Sequence, residues 1–279
     1  MGDSNFYYVA VTILLIVTAM YWLSSAVRFY VRLGCFTLIV IILANVVSII
    51  ALVYPRNLNS YYISKFFGIP LLWLLKPILN IKVKARGLQH FKQCQSPYII
   101  VCNHQSSLDL YPLLRIVPPK TVAVAKKELL YTPIIGQAAW LTHTVFVDRG
   151  DHASAVETLN KVIQEMKKKS FNLWVFPEGK RNQTGKGMLP FKKGAFHIAL
   201  RAQIPIVPVV IRPYEQFYNR KEKKLRREGN MYVTVLDPID TEGLSLDDTG
   251  SLAESTRQKM LEVLQESDDN IHAEYETLL

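Results

Sequence analysis

Asn103-His104-Gln105-Ser106-Ser107-Leu108-Asp109 sets a titratable imidazole five residues ahead of a carboxylate. An imidazole with an ordinary pKa near ~6.5 can accept a proton at neutral pH, and a carboxylate on its second ring nitrogen fixes the tautomer and stabilises the imidazolium. Such a pair could activate a hydroxyl for attack. Spacing alone does not select it, because His143 and Asp148 are also five apart. Between those two, Thr144-Val145-Phe146-Val147 reads as a strand, where an odd separation puts the side chains on opposite faces. Tyr98-Ile99-Ile100-Val101-Cys102 instead reads as a short buried strand that stops before His104, and Ser106 or Ser107 offers a helix N-cap. His104 then lies on the turn. Asp109 falls in the first helical turn, where a carboxylate is favoured and can reach back to the imidazole.

The elements that must hold this turn recur along the chain from residue 81. Seven short β-branched runs, 81–85, 98–102, 121–125, 144–148, 172–176, 206–212 and 232–236, alternate with helical patterns. Ala155, Leu159, Val162, Ile163 and Met166 share one helix face behind an Asp151 cap, and Lys167-Lys168-Lys169 closes that helix where cations suit its dipole. The alternation predicts an α/β fold with a mostly parallel sheet of about seven strands, whose ligands bind beyond the carboxyl ends of the strands. Cations gather at that same edge. Lys126 follows the third run, Arg149 the fourth, and Pro177-Glu178-Gly179-Lys180-Arg181 the fifth, where Gly179 lets backbone approach a ligand and Arg181 offers a fork for phosphate.

Charge divides the chain. Of 33 Lys and Arg and 23 Asp and Glu, residues 1–81 hold only five and one. Residues 6–27 and 33–54 are two uncharged runs near the ~20 residues that span a bilayer as a helix. Two spanning helices are the plain expectation, with Arg28 and Arg32 on the tight connection; a hairpin dipping into one leaflet is the alternative. A cleaved signal peptide is not expected, since no basic residue precedes the first run. The larger basic excess after the second run predicts a cytosolic domain. Residues 61–79, aromatic and interrupted by Lys65, Pro70, Lys76 and Pro77, suit the bilayer interface. The expected division is a membrane anchor over 1–80, a catalytic domain over 81–266 ending in an amphipathic helix, and a frayed polar tail over 267–279. Cys35, Cys94 and Cys102 make no disulfide framework, and the His and Cys spacings form no metal-ligand set.

Four blocks carry a resemblance. Asn103-His104 with Asp109, Phe146-Val147-Asp148-Arg149, Phe176-Pro177-Glu178-Gly179-Lys180-Arg181 and Val207-Pro208-Val209-Val210, in this order, resemble the blocks of the glycerolipid acyltransferases, and among them the 1-acylglycerol-3-phosphate acyltransferases. The likeness covers roughly residues 80 to 215. Two positions depart from it: the third block usually has Thr where Lys180 stands, and the second usually opens with Gly where His143 stands. The resemblance implies acyl transfer from acyl-CoA to the sn-2 hydroxyl of lysophosphatidate, at the endoplasmic reticulum membrane. It needs no metal or cofactor beyond the acyl-CoA co-substrate.

Under that reading His104, oriented by Asp109, takes the hydroxyl proton, while Arg181, with Arg149 and Lys126, holds the phosphate. Glu178 could hydrogen-bond the glycerol or brace Arg181. A Cys102 or Ser106 nucleophile would instead pass through an acyl-enzyme, although a strand position should bury Cys102. A different class of reading is a non-enzymatic membrane protein that binds anionic lipid through the basic run from Arg220 to Arg227. Nucleic acid is not an expected partner, because no recognition module accompanies the net charge of +10. Asn182-Gln183-Thr184 is a glycosylation sequon expected to stay unmodified on a cytosolic domain.

Overall fold

In the computed structural model, residues 2–53, 73, 76, 79–148, 150, 152–182, 184, 187–266 and 275–278 are described. All seven expected strands form: β1 (Ile81–Arg86), β2 (Ile99–Cys102), β3 (Thr121–Lys126), β4 (Val145–Val147), β5 (Asn172–Val175), β6 (Ile206–Ile211) and, after a two-stranded hairpin of β7 (Tyr218–Asn219) and β8 (Lys224–Leu225), β9 (Gly229–Val235). An eighth strand of the main sheet, β10 (Glu276–Leu278), was not expected, and the order is β10-β1-β9-β6-β2-β5-β3-β4. Five pairings are parallel; β6 with β9 and β1 with β10 run antiparallel. The fold is therefore α/β around a mostly parallel sheet.

β2 lies between β5 and β6 with every residue buried, as a short β-branched run covered on both faces must be. On one face Ile99 and Val101 pack with Phe196, Ile198 and Met260; on the other Ile100 and Cys102 join Tyr111, Val83 and Met231. Helices α3 (Leu110–Ile116), α4 (Ile135–Leu141), α5 (His152–Lys169), α6 (Gly194–Ala202) and α7 (Thr249–Gln265) follow the strands. The Asp151 cap expected for α5 lies outside the described residues.

The tail is a correction. Tyr275 is buried, its hydroxyl pairs with Thr234 Oγ1 at 2.6 Å, and β10 closes the sheet edge along β1. Arg115 donates to the Leu278 carbonyl at 3.1 Å, so residues 275–278 are tied down rather than frayed. The pull comes from the exposed β1 edge, which offers a ladder to any extended segment within reach.

Two N-terminal helices, α1 (Gly2–Leu23) and α2 (Ser25–Val53), are long and apolar enough to cross a membrane. They break at Ser24, so Arg28 and Arg32 lie on α2 and not on a connection. Arg28 donates to the Tyr21 and Trp22 carbonyls at the end of α1, as cations near a helix C-terminus do. The two helices differ in burial. The apolar side chains of α1 from Phe6 to Leu23 are exposed, whereas Phe29, Arg32, Phe36, Ala44 and Val47 form a buried stripe on α2. That stripe rests on the β7–β8 hairpin at one end and on Ala138 of α4 at the other, and extends about 27 Å at the helical rise. Of the expected interfacial segment 61–79, only Trp73, Lys76 and Leu79 are described, and the Lys76 ammonium sits 5.2 Å from the Trp73 ring centre.

Candidate active site

Chain direction changes sharply after Cys102, and side chains stand in for the missing ladder. Asn103, buried, donates from Nδ2 to the Ile211 carbonyl at 2.9 Å and accepts from the Ile211 N–H at 2.7 Å, so the end of β2 stays pinned to β6. Ser106 then caps a 3₁₀ turn (Ser107–Asp109) that continues into α3: its Oγ accepts from the Leu108 N–H at 2.9 Å. Asp109 completes the capping box and does more. Its Oδ2 accepts from the N–H groups of Gln105 at 2.7 Å and Ser106 at 3.0 Å, and from His104 Nδ1 at 2.8 Å. A carboxylate with three donors on one oxygen cannot swing away, so neither can the imidazole it holds.

The His104 ring also stacks on Phe176, with centroids 4.1 Å apart and planes 22° from parallel. Its side chain keeps 20% exposure against 1% for Asp109. Nδ1 is thus engaged inside the protein, and Nε2 carries no hydrogen bond among the described residues. An imidazole so placed can accept a proton on Nε2 while its partner stays buried against Nδ1.

Glu178 is held by backbone donors of the His104 turn and of Leu189. Phe176-Pro177-Glu178-Gly179 makes a turn closed by the Gly179 N–H on the Phe176 carbonyl at 3.1 Å, with Gly179 at φ 72°, where glycine carries no strain. The buried Glu178 carboxylate accepts from the His104 N–H at 2.8 Å and the Leu189 N–H at 2.9 Å. Burial pushes its carboxyl above the usual range, against the pull of those two donors. It braces the His104 turn and makes no ion pair with Arg181 among the described residues, and the Asn182 N–H on the His104 carbonyl at 2.7 Å holds the same turn from the next residues.

Arg181 is exposed and lines an open cleft beside the turn together with Gln105, Ser106, Tyr218, Arg220 and Lys221. Lys126 ends β3, two strands from β2 and so about 10 Å away at the usual strand spacing; it is exposed and outside the cleft lining. Arg149 lies outside the described residues. His143 sits at φ 61°, in the left-handed region where glycine is free and histidine is among the tolerated residues; this accounts for the glycine usual at that block position. Lys180 is exposed.

Tyr214 was not anticipated. Buried beyond the end of β6, it donates to Asp109 Oδ1 at 2.5 Å, and its hydroxyl lies 2.8 Å from Ser106 Oγ. Burial and the adjacent Asp109 carboxylate push its phenol well above the ordinary value, so it stays protonated and donates. Nothing in the sequence marks it, because it lies 105 residues from its partner. Tyr214→Phe removes one of four donors from the carboxylate and so loosens the hold of Asp109 on the His104 ring. The expected result is a several-fold lower kcat with KM unchanged, read from initial rates beside wild type.

With the geometry in place, the relatives can be set beside it. The family described as Acyltransferase matches residues 82–212. The chain is 38% identical over 247 residues to the 1-acyl-sn-glycerol-3-phosphate acyltransferase alpha of Mus musculus, covering 88% of this chain and 85% of that one. It belongs to this acyltransferase family. A 1-acyl-sn-glycerol-3-phosphate acyltransferase of Saccharomyces cerevisiae is 43% identical over 194 residues, covering 69% of this chain and 63% of the relative. The crystal structure of the 1-acyl-sn-glycerophosphate (LPA) acyltransferase PlsC from Thermotoga maritima superposes with a TM-score of 0.67 at 22% identity, over 88% of this chain and 99% of that one. The acyltransferase domain of the family thus spans the sheet edge on which His104, Glu178 and Arg181 lie.

Proposed function

We propose that this acyltransferase moves a fatty acyl group from acyl-CoA to the sn-2 hydroxyl of lysophosphatidate. The observation that carries the reading is the 2.8 Å bond from His104 Nδ1 to Asp109 Oδ2, which leaves Nε2 open beside a cationic cleft. The names of the relatives supply the acceptor. His104 takes the hydroxyl proton on Nε2 as the oxygen attacks the thioester carbonyl; the C–O bond forms, the C–S bond breaks, and the proton passes to the departing CoA thiolate. Asp109 steadies the imidazolium in between. Arg181 holds the phosphate, and Lys126 adds positive potential along the same edge. Fixing the hydroxyl beside the base supplies much of the acceleration. Catalysis by His104 and Asp109 calls on no metal or cofactor.

Burial of Cys102 raises its thiol well above the ordinary value, and Ser106 Oγ is engaged by the Leu108 N–H and by Tyr214. Both features favour direct transfer over an acyl-enzyme. Cys102→Ala and Ser106→Ala, made separately, are therefore expected to keep kcat within about tenfold, against losses on the order of 10⁶ for a missing nucleophile.

The reading extends to place. A helix that carries protein along about 27 Å of one face cannot be ringed by lipid over that length, which favours a hairpin held in one leaflet over two spanning helices. The domain then rests on the cytosolic surface of the endoplasmic reticulum. On a cytosolic domain the sequon at Asn182 stays unmodified, and a glycan on Asn182 in active protein would contradict this placement. Protease digestion of the domain in sealed microsomes without detergent tests the orientation. Purified protein given a panel of lysophospholipids and acyl-CoA tests the activity: free thiol and phosphatidate should form fastest with lysophosphatidate, and no thiol release with any acceptor would leave a lipid-binding role alone.

A further inference from the structure

We infer that Arg220 and Lys221, carried on the β7–β8 hairpin, join Arg181 in a site for a dianionic phosphomonoester headgroup, and that they select lysophosphatidate over zwitterionic lysophospholipids. The inference rests on the acyltransferase reading above and adds the residues that set its acceptor class.

Arg181 follows β5 and Arg220 follows β7, yet both line the cleft beside the His104 turn, together with Tyr218 and Ser106. Two guanidinium groups from separate elements thus line one cleft. The hairpin that brings the second is fixed. Arg32 of α2 donates to the Leu225 carbonyl at 2.6 Å, Phe29 stacks on Tyr218 with centroids 6.3 Å apart, and the Lys223 ammonium sits 5.7 Å from the Tyr30 ring centre. At the tip, Asn219 Oδ1 accepts from the N–H groups of Lys221 at 2.9 Å and Glu222 at 3.1 Å, so the backbone next to Arg220 is set by an Asx turn. These anchors lie on α2, so the hairpin that lines the cleft is tied to a helix apolar enough to cross a membrane.

Charge matches the same ligand. Among the described residues no carboxylate lies within 4.0 Å of Arg181, Arg220 or Lys221, and Glu215 is the acid on the cleft wall. Three cations against one carboxylate suit a ligand of about two negative charges, the charge a phosphomonoester carries near neutral pH. A phosphodiester that bears a choline offers no net charge and a bulk the rim must accommodate.

The test uses full-length protein in neutral detergent micelles, where surface charge is diluted out. Arg220→Ala is expected to raise KM for lysophosphatidate about tenfold with kcat within twofold and KM for acyl-CoA unchanged, as loss of a charge-assisted contact does. Lys221→Ala should act in the same direction, Arg220→Lys should recover part of the loss, and Arg227→Ala should match wild type. Inorganic phosphate should compete with lysophosphatidate in wild type and about tenfold less well in Arg220→Ala. An unchanged KM in the double variant Arg220→Ala/Lys221→Ala, with His104→Ala inactive, would overturn the inference and leave the acyltransferase reading standing. A loss confined to charged vesicles and absent in micelles would also overturn it, by making the hairpin a surface contact. No turnover of lysophosphatidate by wild type would overturn both.

Discussion

Asp109→Asn is expected to lower kcat about 10³-fold while the domain stays folded. The amide oxygen of the new side chain can take the place of Oδ2 and still accept from Gln105, Ser106 and His104 Nδ1, and its NH₂ can donate to Tyr214, whose hydroxyl turns from donor to acceptor. Geometry is preserved; the negative charge is not. An imidazolium that forms as the hydroxyl is deprotonated then faces a neutral amide in a buried setting, where the lost attraction counts for far more than in water. Initial rates at saturating acyl-CoA measure the effect, and a melting temperature within a few degrees of wild type shows that the loss is chemical. A fall of less than tenfold would mean that the carboxylate only holds the turn in place.

Strand-helix alternation made most of the sheet legible, because buried parallel strands must be short, apolar and β-branched wherever they occur. The His104 turn was legible for a related reason: a strand that stops, a cap and an acid in the first turn leave little choice of geometry. Tyr214 and the partners of Glu178 were not. These contacts join different strands, and only the closed sheet brings the end of β6 and the turn after β5 against the end of β2. The buried stripe on α2 was hidden differently. Nearly every side chain around it is apolar, so the face that meets protein cannot be told from one that meets lipid by pattern. Lys126 and Arg149 looked equivalent to Arg181 because each follows a strand; only Arg181 is found on the cleft wall among the described residues, where Arg220 and Lys221 join it from a hairpin too short to read in sequence.

His104→Ala removes the proposed base. Asp109 would be left with its two N–H donors and Tyr214, and Phe176 would lose the ring it stacks on, yet the turn stays held by Glu178 and by Asn182 through backbone bonds that an alanine keeps. The loss should therefore fall on the chemical step and not on folding or on the affinity for lysophosphatidate. The most direct measurement is paired product formation, free CoA thiol and phosphatidate, from acyl-CoA and lysophosphatidate by wild type beside His104→Ala. Equal amounts of both products from wild type, and a rate at least about 10³-fold lower from the variant, are the expected result. Turnover by His104→Ala at the wild-type rate would contradict the account.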